Sequence, residues 1–162
     1  MNVKEIQQAR SLLESVTPLK QDCGEHCGAA CCREDPEGEE ILGMELFPGE
    51  RALYPKKANW FRVYQTPGGE VFVCKGACPR EQRPFACRIF PLAPRVTGAK
   101  MSAVIDRRAK VVCPLYSSGK TGLSVEFVQQ VERAFALLWE NPQMREYMTD
   151  LSRRIAEQTM LW

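Results

Sequence analysis

Residues 60–75 read WFRVYQTPGGEVFVCK. Two runs of aromatic and β-branched side chains flank Thr66, Pro67, Gly68 and Gly69, a pattern that predicts a β-hairpin. The predicted strands cover residues 60–65 and 71–75. The second strand carries Cys74 near its end, so a pleated element delivers a thiol to whatever lies beyond it. Cys78, Cys87 and Cys113 follow downstream.

Upstream, residues 23–32 read CGEHCGAACC and place four thiols within ten residues. Cys23, Cys27, Cys31, Cys32, Cys74, Cys78, Cys87 and Cys113 are together the candidate metal ligands. Close thiol pairs from two separate stretches suit a tetrahedral metal site. Short spacing aims two sulfurs at one ion, and the second stretch closes the shell. Gly24, Gly28 and Gly76 sit where the backbone must bend near sulfur. Adjacent Cys31 and Cys32 point to opposite sides of an extended chain. One of them then ligates, while the other serves a second metal, packs inward or stays reactive. Eight thiols fill two four-cysteine shells, or one with thiols to spare. Zinc and iron–sulfur clusters both accept four cysteines, so the metal stays open between them. His26, the sole histidine, reads either as a borderline ligand or as plain surface.

The chain of 162 residues is 44% hydrophobic and 26% charged, proportions of one globular domain with a core of its own. It opens on MNVKEIQQAR, with no apolar region of a secretory signal behind it. No apolar run approaches the roughly 20 residues of a membrane helix. The expected compartment is the cytoplasm, where thiols stay reduced and clustered cysteines read as metal ligands before disulfides.

The net charge of +2 hides an asymmetry. Residues 1–50 hold 11 acids and 4 bases, a net of −7, whereas residues 70–110 hold 3 acids and 9 bases, a net of +6. The bland reading is two solvated faces or two attracting lobes. The sharper one is a basic segment that offsets thiolate charge. Glu39, Glu40, Glu45 and Glu50 read as a solvated acidic face. Lys120 in the GKT run at 119–121 does not make a phosphate-binding loop, because Pro114 stands where that motif needs glycine. The spacing of Cys23, Cys27 and Cys31 is one residue too long for the loop of radical-SAM enzymes.

Around this centre the sequence predicts a helix over residues 3–16 and a short helix after Pro48, Gly49 and Glu50. Four prolines predict a stiff, mostly non-helical segment over 78–94. A strand is expected over 100–106, and Val111 and Val112 read as a short extended piece. Ser124 is a candidate N-cap for a helix over 125–140, and Asn141 and Pro142 start the next. The predicted fold is a small cysteine-rich α+β domain over residues 1–162. Its metal-binding core covers 23–115, with the β-hairpin inside it and a C-terminal helical hairpin over 124–160.

Residues 83–91 read RPFACRIFP. Together with CGEHCGAACC, this segment resembles the YkgJ-type cysteine-cluster family over about residues 23–115. The chain departs from that pattern in the short spacing of Cys74 and Cys78, and in Pro79, Arg80 and Glu81 where the family tends to place an aromatic. The resemblance implies a zinc- or iron-chelating core and supplies no substrate. On physical grounds, Arg83 and Arg88 neutralise a thiolate-rich centre, while Phe85, Ile89 and Phe90 shield sulfur from water. The function expected is metal binding without an evident catalytic group. Two alternatives are carried beside it. One is a metal-dependent protein-modifying enzyme akin to the flagellin lysine methylase relatives of that family. The other, set lower by the balanced charge, is a zinc-ribbon-like nucleic-acid module.

Overall fold

A computed structural model describes residues 3–21, 28, 30–31, 43–75 and 78–158. Among them are four α-helices and two small antiparallel sheets. The helices are α1 (Val3–Ser11), α2 (Phe85–Ile89), α3 (Val125–Trp139) and α4 (Pro142–Gln158). The strands are β1 (Met44–Glu45), β2 (Phe61–Thr66), β3 (Gly69–Cys74), β4 (Leu92–Thr97) and β5 (Lys100–Ile105). This is the expected mixed α+β class.

The hairpin forms as its turn residues dictate. Thr66 pairs with Gly69, and the register runs back to Phe61 opposite Cys74. Gly69 takes φ 131°, which a side chain would resist. β1 adds on the far side of β3, with Met44 opposite Phe72, giving the order β1-β3-β2. Gly43 leads into β1 because there is no room for more: a Cβ there would lie 2.5 Å from the Phe72 carbonyl oxygen and 2.7 Å from Val73 Cγ2. The backbone atom cannot yield without breaking the sheet. Gly43→Ala is expected to destabilise the protein by about 1–3 kcal/mol, the usual range for overpacking, read from urea unfolding.

α1 stops at Ser11, short of the predicted residue 16. Ser11 Oγ turns back onto the Gln7 carbonyl at 3.0 Å, and the chain tightens so that Leu13 N donates to Arg10 O at 3.0 Å. Leu13 and Val16 are nonetheless buried, so the apolar stripe outlasts the helix that suggested it. The C-terminal caps behave as read. Ser124 Oγ accepts from Phe127 N at 3.5 Å. Asn141 Oδ1 accepts from Gln143 N at 2.9 Å and Met144 N at 3.3 Å.

The segment 78–94 is mostly non-helical, as expected, but it holds one short α-helix. Pro84 and Pro91 flank a short helix, α2, rather than interrupt one. Pro94 lies inside β4. Thr97 and Lys100 close the β4–β5 hairpin, so Pro94, three residues back, sits opposite Ala103 with its nitrogen facing the free edge. No ladder hydrogen bond is lost. Val96 N faces the same edge and donates to Ser152 Oγ of α4 at 2.9 Å. Residues 107–111, where Val111 was read as extended, instead form a 3₁₀ turn.

Two hydrophobic clusters result. The larger joins α1, α2, α3, α4 and the β4–β5 hairpin around Phe47, Phe85, Phe127, Phe135 and Leu138. α3 packs on α1 and β5, while α4 lies on β4. The smaller gathers Leu46, Tyr54, Phe61, Phe72 and Cys74 on one face of the three-stranded sheet. No described helix is long and apolar enough to cross a membrane.

Candidate functional site

Five of the eight predicted ligands lie among the described residues: Cys31, Cys74, Cys78, Cys87 and Cys113. Cys23, Cys27 and Cys32 lie outside them, as do His26, Glu39 and Glu40. No disulfide joins one described cysteine to another. Among the described residues, no three His, Cys, Asp or Glu side chains form a group able to hold an ion.

Three thiols of the second stretch share one neighbourhood. Cys74 is buried at the end of β3 in the aromatic cluster, and Cys78 packs partly buried against that cluster. Phe61 and Phe72 stack at 4.7 Å between ring centres, and Tyr54 lies 5.0 Å from Phe72. The Tyr54 hydroxyl donates to the Gln82 carbonyl at 2.9 Å. Burial, then Glu50, hold that phenol well above its ordinary pKa, and the charges of Cys87 and Cys78 push the same way. Both thiols are therefore within electrostatic reach of Tyr54, one from the loop after β3 and one from α2. Cys113 packs against the larger cluster instead. Cys31 lines a cleft of about 320 Å³ together with Val111, Val112 and Ile89.

The helix carrying Cys87 is locked by arginines. Arg88, expected to neutralise thiolates, spends its donors on backbone carbonyls. It donates from Nε to Arg83 at 3.0 Å, from Nη2 to Glu81 at 2.7 Å and Arg80 at 3.3 Å, and from Nη1 to Arg10 at 3.3 Å. Arg80 in turn donates to Glu14 and Val16, both at 3.2 Å. These bonds fasten the Cys78–Cys87 connection onto the end of α1. Burial, with Arg10 next in weight, lowers the Arg88 pKa. Phe85, expected to shield sulfur, is fully buried against Phe47 at 4.8 Å and Phe135 at 6.2 Å in the larger cluster.

Glu50 overturns the reading of a solvated acidic face. It has no exposed surface. Its Oε1 accepts from Phe85 N at 2.6 Å and its Oε2 from Phe47 N at 3.1 Å. One carboxylate thus starts α2 and closes the turn before its own 3₁₀ helix. Arg10 Nε lies 3.9 Å from Oε1 and makes no hydrogen bond of its own. Desolvation dominates, and it raises the Glu50 pKa to about 7 despite both backbone bonds and the charges of Arg10 and Arg88. Glu45 is likewise engaged. Arg154 grips it with two bonds of 2.7 and 2.9 Å, and Tyr147 donates to it at 3.1 Å. Nothing in the sequence marks Glu50, since burial of one acid after a turn has no periodic signature.

Three of the bases in segment 70–110 hold the fold together. Arg80 and Arg88 are spent on carbonyls, and Arg108 forks onto Asp106 at 2.7–3.1 Å. Comparison of the chain with family models, with curated proteins and with solved structures finds no match.

Proposed function

We propose that the chain is a metal-binding protein that holds zinc or an iron–sulfur cluster through its clustered cysteines. It acts in the reducing cytoplasm and is related to the YkgJ-type proteins it resembles. The observation that carries the reading is that Cys74 and Cys78 share one aromatic cluster with Tyr54, whose hydroxyl also feels the charge of Cys87. A complete four-thiol shell draws further sulfur from beyond that trio, and the CGEHCGAACC stretch is the richest source in the sequence. The local chemistry suits the task. Aromatic rings pack around Cys74 and Cys78, and the guanidinium of Arg10 lies 5.5 Å from the centre of the Tyr54 ring in that cluster. Bound there, the metal would fasten the hairpin to α2, and no catalytic step is assigned to it.

Anaerobic purification, with metal and acid-labile sulfide analysis and a visible spectrum, tests this. A brown protein containing sulfide identifies a cluster, and a colourless one with stoichiometric zinc identifies zinc. Protein purified from zinc- and iron-replete cells with neither metal removes the proposal.

A further inference from the structure

In the order β1-β3-β2, β2 is an edge strand. The parity of its ladder says which groups are left over. Thr66 closes the turn with Gly69, and Lys75 N donates to the Trp60 carbonyl at 2.9 Å. Residues 60, 62, 64 and 66 therefore turn their backbone groups inward to β3. Phe61, Val63 and Gln65 turn theirs outward, and among the described residues no chain segment pairs with them. A groove of about 660 Å³ runs along this side and is lined by β2 and by Lys56, Lys57 and Lys75. These three lysines are exposed. The acid of the lining, Glu70, has its carboxylate taken by Gln65 Nε2 at 2.9 Å.

We infer that the outer edge of β2, flanked by Lys56 and Lys57, receives an extended acidic peptide as an added antiparallel or parallel strand. Two independent features point there. The alternating N–H and C=O groups of Phe61, Val63 and Gln65 ask for a partner with the same two-residue period, which a peptide backbone has and a nucleic acid lacks. The lysines supply charge complementarity for carboxylates on that strand. Aromatic stacking surface for bases is scarce, because Phe61 is buried in the small cluster and Tyr64 is half-buried. This site is separate from the proposed metal centre and does not depend on it.

The probe is a fluorescein-labelled peptide of alternating glutamate and valine, followed by anisotropy at low salt with the full chain as purified. Saturable binding is expected, weakening as salt is raised. Replacing both Lys56 and Lys57 by glutamate is expected to weaken it at least about tenfold. A peptide N-methylated at alternate amides, which cannot complete the ladder, should lose binding to a similar degree while keeping its charge. Gln65→Pro removes one outward N–H on the protein side, with far-UV circular dichroism checking that the hairpin survives. Absence of binding would mean that the lysines only guard the edge against aggregation, and would overturn the inference. Equal binding of the N-methylated peptide, or binding of a thymidine dodecamer in place of the peptide, would overturn it as well.

Discussion

On the proposed metal-binding reading, treating the purified protein with a chelator is expected to open the hairpin side while leaving the helices in place. Amide exchange in β2 and β3 should rise at least about a hundredfold, the equivalent of roughly 3 kcal/mol, with α3 and α4 staying protected. The asymmetry follows from the two cores. The larger cluster holds 21 buried residues and contains none of Cys74, Cys78 or Cys87. The smaller holds five buried residues, one of them Cys74 itself. Five buried side chains at roughly 2 kcal/mol each do not offset the ordering of the hairpin and its loops at about 1–2 kcal/mol per residue. A structural metal contributes on the order of 10 kcal/mol in small zinc domains, enough to close that gap. Zinc or iron restored under reducing conditions should restore protection. Loss of bound metal with unchanged exchange in β3 would mean that the thiols do not hold the hairpin. Exchange lost equally from α3 would mean that the two clusters are not separable.

The parts of the fold legible in the sequence are those written in local chemistry. The turn of Thr66 to Gly69, the cap at Ser124 and the Asn141 stop each act within four residues, so reading the segment was enough. β4 has no signal in the prolines of 78–94, which speak only against helix, and it includes Pro94. Its nitrogen faces the outer edge of a two-stranded ribbon, and that orientation is fixed by pairing with β5 rather than by the segment itself. α2 was missed for a related reason, since Pro84 and Pro91 bound a single helical turn that the carboxylate of Glu50, 35 residues earlier, helps to start. At the candidate site, spacing alone put Cys113 with Cys74, Cys78 and Cys87, whereas it packs against the larger cluster. The part played by Arg88 was not legible, because its partners are backbone carbonyls, which every residue possesses.

Glu50→Ala is expected to cost about 3–5 kcal/mol, measured by urea unfolding at pH 7, the range for removing one partner of a buried charge pair. Three groups lose what the carboxylate gives them. The N–H groups of Phe47 and Phe85 are left without acceptors, and the Arg10 guanidinium, 12% exposed, is left without its counter-charge. The wild-type carboxylate also leaves a pH signature. Burial raises its pKa from 4.5 to about 7. The folded state therefore holds this proton across a window in which the unfolded chain has released it. The stabilisation is fully present below pH 4.5 and is lost as pH rises through about 7. A shift of that size corresponds to about 3 kcal/mol. Glu50→Gln separates the two effects. One amide oxygen still accepts from one N–H, so the loss is about 1–2 kcal/mol, and nothing is left to titrate. The difference in unfolding free energy between wild type and Glu50→Gln should narrow by about 3 kcal/mol between pH 5 and pH 8. A difference that stays constant over that range would show that Glu50 is ionised throughout. In that case its two backbone bonds and Arg10 outweigh the burial that the fold imposes on it.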